Sequence, residues 1–376
     1  MAHMMADEVW VRGSGAVAMA AALALGRRGL RVALAMREPA AGRASDLRTY
    51  ALNEASVALL HTLRVWDALA ADARTEVLDM RVEGDAAGAA LVFSAWRSGI
   101  ERLAWIVDAG ALEAALRAAV RFAPHVQVRG ADAAPGAGVA LTVHAEGRDA
   151  ASRRGLGVEM PVHAYGQRGV AARLVADRPH AGMARQWFRS PDVLALLPFD
   201  RPQPGCSYGV VWSLPDERAA ALLALPPADF EQALADATGG AAGTLRLAGD
   251  RAAWPLALAQ ADPVCGPGWV LLGDAAHLVH PLAGQGLNLG LADVVALDEV
   301  IAAREPWRPI GDERLLRRYA RRRAGPTAAM GQLTDGLLRL FAADEPWARE
   351  LRNRGLALVD QFPPLKRWLG AAARGA

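Results

Sequence analysis

The apolar positions near the N-terminus fall into two short runs separated by a helical pattern. Val9–Val11 predicts a strand, Ala16–Arg28 a helix and Arg31–Ala35 a second strand. The first strand and the helix are joined by Gly13-Ser14-Gly15-Ala16-Val17-Ala18, which has the form G-x-G-x-x-A. A strand, a glycine-rich turn and a helix in this order are typical of the start of a nucleotide-binding fold.

A second pattern begins at Trp269–Leu272, an apolar run that predicts a buried strand leading to Gly273 and Asp274. Helical spacing follows, and it predicts a helix that starts near Gly286, with Asp293 facing outward; its apolar positions are Leu287, Leu291, Val294 and Val295. The unpaired N–H groups and positive dipole end of this helix suit a ring that gains negative charge, such as a flavin. We expect Asp274 to accept hydrogen bonds from ribose-like hydroxyls.

The middle and the C-terminal part of the chain have different patterns. Alternating segments within 79–103 and 155–255, such as Gly169–Val175, predict a mixed or antiparallel sheet. The chain from Arg314 onward is predicted to be helical and basic. A helix is also predicted to follow Asp46–Asn53 and to carry Ser56, Leu59, Leu60 and Trp66.

Composition narrows the class of protein. A chain of 376 residues is long enough for two domains. Its composition, with 53% hydrophobic and 22% charged residues, is typical of a soluble globular protein. A net charge of +2 gives no reason to expect a nucleic-acid partner. Two cysteines, Cys206 and Cys265, fit a reducing compartment, and no apolar run reaches the ~18 residues of a membrane span. These features predict a cytoplasmic protein.

His277 and His280 stand three residues apart behind Asp274, a spacing that could suggest a metal site. A metal centre needs further ligands at a suitable spacing, and the sequence offers no third one. We therefore predict no metal.

The segment from Gly273 to Asn288 reads G-D-A-A-H-x-x-x-P-x-x-G-Q-G-x-N in its fixed positions. It resembles the second flavin motif of the single-component aromatic hydroxylases that use FAD. The resemblance is nearest to the ubiquinone-biosynthesis branch, which often carries H-P-L-A-G-Q-G-L-N as it stands from His280 to Asn288. It extends over nearly the whole chain.

The resemblance implies an α/β fold: a Rossmann-like FAD-binding domain of the para-hydroxybenzoate-hydroxylase type, a mixed-sheet α+β substrate domain and C-terminal helices. The expected FAD-binding domain is discontinuous and comprises 5–78, 104–154 and 262–320. The substrate domain would comprise 79–103 and 155–261, and the C-terminal helical region 321–376.

The resemblance also implies site residues. Pro281, Gly284 and Gln285 would form the wall beside the reactive face of the flavin, and His280 would either bind substrate or cap the structure. Arg48, within D-x-R-x-x-A-L from Asp46, would reach the FAD; the alternative is a solvated residue at a helix start. The other cofactor-binding residues would be Gly13, Gly15, Ala18, Gly273 and Asp274, with Gly286, Leu287 and Asn288 donating to the pyrimidine edge of the ring.

The sequence departs from the family pattern in four places, which leave the isoalloxazine end of the site intact and the adenosine end incomplete. Met36 stands where an acidic residue should hold the ribose, and Glu38 comes two residues late. The middle motif, usually A-D-G-x-x-S-x-x-R, reads A-E-G-R-D-A-A-S-R from Ala145, and Gly110 replaces an arginine. The stretch from Val126 to His144 is short for a three-stranded meander. We expect weak FAD binding, since each lost charged hydrogen bond costs ~1.5–3 kcal/mol.

In the family that the chain resembles, NAD(P)H reduces the flavin, and a flavin hydroperoxide then passes oxygen to an electron-rich phenol. The predicted function is therefore an FAD monooxygenase that hydroxylates a phenolic or polyprenyl-phenol intermediate of ubiquinone biosynthesis. The alternative is a non-catalytic relative that serves as an accessory or assembly subunit of a quinone-biosynthesis complex. Alkene reduction or halogenation on the same fold is a third interpretation.

An arginine-rich segment leaves two interpretations of its surface. One is a solvated helix, and the other is peripheral contact with an anionic membrane, where each arginine contributes ~1 kcal/mol. An apolar face at Leu337, Leu338, Leu340 and Phe341 could lie against lipid or a partner subunit. The arginines are Arg314, Arg317, Arg318, Arg321, Arg322 and Arg323.

Overall fold

The computed structural model describes residues 8–38, 46–84, 90–279 and 285–342, with side chains for all of these except 285, 333–335 and 337–342. The strands are β1 (Val9–Arg12), β2 (Val32–Met36), β3 (Thr49–Leu52), β4 (Arg74–Val77), β5 (Asp79–Glu83), β6 (Ala90–Ser94), β7 (Ala104–Asp108), β8 (Val126–Gly130), β9 (Leu141–His144), β10 (Val162–Ala176), β11 (Met183–Arg189), β12 (Asp192–Phe199), β13 (Ser207–Pro215), β14 (Leu245–Gln260), β15 (Cys265–Gly266), β16 (Trp269–Leu271) and β17 (His277–Leu278).

The α-helices are α1 (Ala16–Arg27), α2 (Glu54–Thr62), α3 (Ala95–Ser98), α4 (Ala109–Phe122), α5 (Ala151–Gly155), α6 (Asp216–Ala224), α7 (Pro227–Thr238), α8 (Gln285–Ala302) and α9 (Glu313–Ala342). Short 3-10 turns lie at Trp66–Ala68, Ala71–Ala73 and Gly273–Ala275. Among the described helices, none combines the length and the apolar character that crossing a bilayer requires.

A parallel sheet carries the glycine-rich turn. Its strand order is β15-β16-β9-β1-β2-β8, and all the pairings except β15 with β16 are parallel. All five residues of β2 are buried, as expected of a parallel strand covered on both faces. The βαβ start predicted from the apolar pattern is confirmed.

A second sheet is mixed, which confirms the prediction from the alternating segments. Its order is β17-β14-β10-β13-β12-β11-β5-β6, with β11 and β5 parallel and the other pairings antiparallel. Helices α6 and α7 cover one face, where Trp187, Trp212 and Phe230 are buried. We call the other side the front face, and it packs against the small sheet β3-β7-β4.

Two contacts show how closely the front face meets the small sheet. A Cβ added to Gly209 would lie 2.5 Å from Oγ1 of Thr49 on β3. Arg173, near the C-terminal end of β10, forms an ion pair of 2.8 Å with Asp108 at the end of β7. The front face is therefore held directly beside the segment that contains Arg48.

Helix α8 begins at Gln285, which confirms a helix start near Gly286. The prediction that Asp293 faces outward is wrong, because its side chain is fully buried. Helix α8 packs against α1 on one side and against α9 on another. A polar residue opposite the apolar face predicted from the sequence is therefore covered by a second helix and does not face water.

The helix predicted after Asn53 ends earlier than expected. Helix α2 stops at Thr62, and Trp66 lies in the 3-10 turn that follows. The chain reverses at Arg64, whose φ of 59° is left-handed and cannot continue the helix.

Helix α9 begins at Glu313 and buries Leu315, Leu316 and Tyr319 against the parallel-sheet core. Several of its arginines are paired with acids: Arg317 with Glu313, Arg318 with Glu305, Arg322 with Glu299 and Arg323 with Asp293. Leu337, Leu338, Leu340 and Phe341 belong to α9, but their side chains lie outside the described part, as do residues 343–376.

Candidate flavin-binding site

The two glycines of the N-terminal turn have different roles. Gly13 has a φ of 140°, and a Cβ there would overlap the carbonyl oxygen of Ala145 and lie 2.9 Å from the Cβ of Ala18. Gly15 caps α1, and a Cβ added to it would meet open space. Gly13 and Ala18 thus serve close packing inside the protein, whereas Gly15 leaves room for a ligand at the helix N-terminus.

The second motif is brought against the first through Val17. Gly273 has a left-handed φ of 58°, and a Cβ added to it would lie 3.3 Å from Cγ2 of Val17. A Cβ on Gly290 of α8 would lie 2.6 Å from the same carbon. The glycines therefore allow α1, α8 and the Gly273 turn to meet.

Asp274 lies in the turn between β16 and β17, and we call the space bordered by Asp274, Arg48, Gly15 and Gly286 the cleft. The side chain of Asp274 is exposed, yet the protein around it displaces much of the water, and this desolvation raises the pKa of its carboxyl. The positive charges of His277, Arg148 and Arg48 lower that pKa by less. The turn behind it is tied to helix α5, because Nη1 of Arg153 donates to the carbonyl of Ala275 at 3.0 Å. Asp274 is thus held at a fixed place and can accept hydrogen bonds from a ligand.

Arg48 faces the same cleft. Asp46 binds its guanidinium through Nη2 at 2.5 Å and Nε at 2.9 Å, and the group lies 5.6 Å from the ring of Tyr50 and 5.7 Å from that of Trp254. Burial raises the pKa of Tyr50 to about 12 even though Arg48 lowers it. Arg48 directly precedes strand β3 and not a helix, and its side chain is 41% exposed while its guanidinium is held by Asp46.

Asn288 is buried, and the protein uses its side chain. Its Oδ1 accepts from the backbone N–H of Asn53 at 3.0 Å and from the hydroxyl of Ser56 at 2.8 Å, and its Nδ2 donates to Ala51 at 2.8 Å. The side chain of Asn288 thus ties α8 to the segment that contains Ala51, Asn53 and Ser56, and the N–H groups at the start of α8 are the donors that the helix leaves for a ligand. The first four N–H groups of a helix have no partner within the helix, and a Cβ on Gly286 would meet open space.

A buried carboxylate that the sequence did not reveal supports the Gly273 turn. Asp293 accepts from the N–H of Gly273 at 2.8 Å, from Nε2 of His277 at 2.7 Å and from Nε of Arg323 at 2.6 Å. Leu287 packs nearby against the main core. No local pattern could have predicted this cluster, since Arg323 is 30 residues from Asp293.

The adenosine end is built differently. Met36 ends β2 at 5% exposure, so an apolar side chain stands where a ribose-binding acid was expected, and Glu38 is exposed beyond it. The shortened stretch from Val126 to His144 contains β8 and β9, with turns in residues 131–140, so the described chain has no meander there.

Glu146, in the middle motif, is bound within the protein. It accepts from Nε of Arg12 at 3.2 Å and from the hydroxyl of Ser152, and it lies 3.6 Å from Nδ1 of His144. Burial raises the pKa of Glu146, but these partners outweigh burial and lower it to about 2. Both of its oxygens therefore already have partners.

An arginine does approach the glycine turn from α4. Gly110, which replaces the expected arginine, sits in the first turn of α4, while Arg117 two turns later donates weakly from Nη2 to the carbonyl of Ser14 at 3.4 Å. Its spacing of seven residues from Gly110 places it on the same helix face and is the signal that sequence reasoning missed.

Several predicted residues lie outside the described part. These are His280, Pro281 and Gly284, together with the side chain of Gln285, whose backbone begins α8. Among the residues that the structure does describe, no group of three or more His, Cys, Asp or Glu is placed to hold a metal ion.

The residues present fit FAD. Open space lies over Gly15 and Gly286 at the N-termini of two helices in contact, and Asp274 is exposed between them and Arg48. An extended cofactor with a pyrophosphate and a ring would meet a helix N-terminus at each end. Together the fold and the cleft define a flavin-binding protein of the para-hydroxybenzoate-hydroxylase type.

Comparison with known families agrees. Residues 7–334 match the family described as FAD binding domain, and the chain belongs to that family. It is 34% identical over 210 residues to the ubiquinone hydroxylase UbiL of Rhodospirillum rubrum, covering 56% of this chain and 48% of that protein. It is 40% identical over 116 residues to the 3-demethoxyubiquinol 3-hydroxylase of Escherichia coli, covering 31% and 30%. The chain thus spans about half or less of the length of these relatives.

Solved structures share the fold. PqsL of Pseudomonas aeruginosa in complex with 2-aminobenzoylacetate superimposes with a TM-score of 0.77 at 18% identity, covering 93% of this chain and 99% of that one. The p-nitrophenol 4-monooxygenase PnpA of Pseudomonas putida gives 0.75 at 18% identity, with 98% of each chain covered. These similarities confirm the fold class.

Proposed function

We propose that this chain is an FAD-dependent monooxygenase that hydroxylates a neutral phenol, with or without a polyprenyl tail, in ubiquinone biosynthesis. NAD(P)H is the proposed electron donor. The names of the relatives support the pathway, and the observation that carries the substrate class is the composition of the front face.

The front face offers a floor of uncharged side chains beside Arg48. Residues paired directly across neighbouring strands point to the same face. One row of pairs joins Trp254 to Gly169, Ser213, Val193 and Phe188, and the next joins Ala252 to Ala171, Val211, Ala195 and the buried Gln186. Ala252, Val211 and Ala195 remain partly exposed.

Arg173, which lies in the neighbouring row opposite Gly209, is already bound within the protein. Arg173 pairs with Asp108 at 2.8 Å and donates to the carbonyl of Asp46 at 3.1 Å. A substrate carboxylate placed on the floor would lose its hydration without gaining a free cation among the described residues of these two rows. A neutral phenol incurs no such cost, and this favours it over a benzoate.

The floor continues into an apolar cluster that suits a prenyl chain. Phe188 and Val193 pack there with Val82 and Leu91, and with the partly buried Met80, Phe93 and Tyr165. Each buried methylene contributes ~0.8 kcal/mol, so a tail along this cluster would add affinity without adding polar contacts.

Bound FAD supplies the redox and oxygen-transfer chemistry, and the protein supplies orientation and exclusion of water. Asp274 and Arg48 would hold the cofactor in the cleft. The first turn of α8 would direct its N–H groups at charge that develops on the ring. The front face would hold the phenol beside the ring.

The test is NAD(P)H- and FAD-dependent incorporation of one ¹⁸O atom from ¹⁸O₂ into the product. A neutral phenol with a short prenyl tail is compared with the same ring bearing a carboxylate. We expect product from the neutral phenol alone. Ala252→Phe should raise KM for that phenol and leave FAD content unchanged. Efficient turnover of the carboxylate would contradict the assignment.

A second candidate is a non-catalytic accessory subunit, and the adenosine end favours it. Met36 and the internally bound Glu146 remove two expected cofactor contacts. This candidate predicts a colourless purified protein that consumes no NAD(P)H with any phenol.

Membrane contact is proposed for the exposed arginines of α9. Arg314, Arg317, Arg321 and Arg322 are exposed, although Arg317 and Arg322 also form ion pairs with acidic residues at the surface. We expect weak, salt-sensitive binding to anionic vesicles that Arg321→Glu with Arg322→Glu reduces. Equal co-sedimentation with anionic and neutral vesicles would contradict it.

A further inference from the structure

Asp293, His277 and Arg323 form a charged cluster behind the cleft, and none of them was assigned a role by the flavin motifs. All three are largely buried: the side chains of Asp293, His277 and Arg323 are 0%, 7% and 11% exposed. Burying a carboxylate completely has a large desolvation penalty, which its hydrogen-bonding and charged partners must offset. The position of the Asp293 carboxylate is therefore tied to the positions of these partners.

The carboxylate holds both ends of one turn. Oδ2 of Asp293 accepts from the N–H of Gly273 at 2.8 Å and from Nε2 of His277 at 2.7 Å. These residues are the first and last of the stretch Gly273–His277, and Asp274 lies between them, exposed in the cleft. The place of Asp274 in the cleft therefore depends on where the Asp293 carboxylate lies.

The other oxygen of that carboxylate is held by the C-terminal helix. Nε of Arg323 donates to Oδ1 of Asp293 at 2.6 Å, and Nη2 donates to the carbonyl of Leu289 at 3.2 Å. One turn earlier on α9, the hydroxyl of Tyr319 donates to the carbonyl of Leu271 at 3.0 Å, just before the turn. Helix α9 thus contacts both the strand that leads into the turn and the carboxylate that shapes it.

We infer that Arg323 is a positioning residue for the flavin, and that it acts through Asp293 on the Gly273–His277 turn. The inference rests on FAD binding by this family and not on the proposed hydroxylation. A site is precise only when the residues that contact the ligand are fixed by a supporting shell. Here that shell includes a helix that contains none of the flavin motifs.

The test compares Arg323→Gln with Arg322→Gln. Arg322 is the adjacent residue, and it forms an exposed ion pair with Glu299 at 2.9 Å. FAD is titrated into apoprotein by flavin fluorescence, and visible circular dichroism records the environment of the bound ring. We expect Arg323→Gln to raise Kd about tenfold and to change the dichroism, because a charged hydrogen bond is lost, and Arg322→Gln to resemble the wild type. Arg323→Lys, which keeps the charge, should restore part of the affinity.

Removing one partner of a buried pair can prevent folding, whereas removing both is tolerated better. The double variant Asp293→Asn/Arg323→Gln therefore provides a second measurement, with apoprotein melting as the check on folding. We expect it to fold and to bind FAD more weakly than the wild type. Wild-type Kd and dichroism in a folded Arg323→Gln or double variant would overturn the inference and leave Arg323 a packing residue. None of these readouts requires turnover of a phenol.

Discussion

The two ends of the cofactor cleft use carboxylates in opposite ways. We call Gly273–His277 with the first turn of α8 the isoalloxazine end, and Gly15, Met36 and Glu146 the adenosine end. At the first, Asp274 is exposed to a ligand while Asp293 supports it from behind. At the second, Glu146 is bound by Arg12 and Ser152.

The comparison teaches that a motif residue predicts a ligand contact only if its neighbours leave its polar atoms available. Glu146 is one methylene longer than the aspartate usual in the family, and it reaches a serine and an arginine of its own chain. Asp274 has neighbours that act through charge, and its carboxylate remains in the cleft. We therefore expect most of the affinity for FAD to come from the isoalloxazine end.

The largest effect is expected from Asp274→Ala. Loss of a charged hydrogen bond to the cofactor costs ~1.5–3 kcal/mol, which corresponds to roughly a 10- to 100-fold rise in Kd for FAD. Asp67→Ala is the control, because that carboxylate is 75% exposed and belongs to none of the motifs. Unchanged flavin stoichiometry in Asp274→Ala would refute the assignment of FAD to this cleft.

Met36→Glu should reduce the difference between the two ends. A carboxylate at the end of β2 can accept from the ribose and should tighten FAD binding about tenfold. The wild type should lose FAD on desalting, and added FAD should raise its Tm by mass action. If excess FAD stabilises neither protein, the accessory-subunit interpretation gains support.

Glu146 should make the adenosine end sensitive to acid. Its pKa is about 2 in the folded protein against an ordinary value of 4.5, so its stabilising contribution is present above pH 4.5 and is lost as the pH falls through about 2. Glu146→Gln should lower the free energy of unfolding at pH 7 by about 1–2 kcal/mol and have less effect near pH 3. Urea unfolding of both proteins at the two pH values measures this, and a constant difference would contradict it.

His277 should give the isoalloxazine end the opposite response. Burial lowers the pKa of His277, but Asp293 outweighs burial and raises it above 6.5. Its contribution is therefore present below pH 6.5 and is lost as the pH rises through the folded value. His277→Gln should be destabilised relative to the wild type at pH 6 and less so at pH 9, by about 1 kcal/mol or less. A difference that grows with pH would show that the imidazole is neutral in the fold.

Local patterns were sufficient for much of the fold. The strands around Gly13 and the start of α8 follow from runs of adjacent residues, because strand and helix periodicities are local properties. The outward placement of Asp293 failed because it assumed one buried face, and α8 has contacts on two sides. Its partner Arg323 is far along the chain and carries no motif.

The sequence predicted which residue types form the site, but it predicted less well what each residue does there. Gly13 was expected to approach a ligand, yet its missing Cβ accommodates Ala145. Asn288 belongs to the motif, yet its side chain holds the segment of Asn53 and Ser56. Such roles depend on which distant segments meet, and a single sequence does not state this.

The bond between Asn53 and Asn288 joins residues 235 positions apart, and it has a consequence for synthesis. Chains emerge from the ribosome N-terminus first, at roughly 5–20 residues per second, so the first βαβ unit is available many seconds before α8. The cleft includes the Gly273 turn and the first turn of α8, which are synthesised late. A nascent chain therefore presents the glycine-rich turn without a complete cleft. We expect flavin uptake to follow synthesis of α8, which makes it a late step in the maturation of the protein.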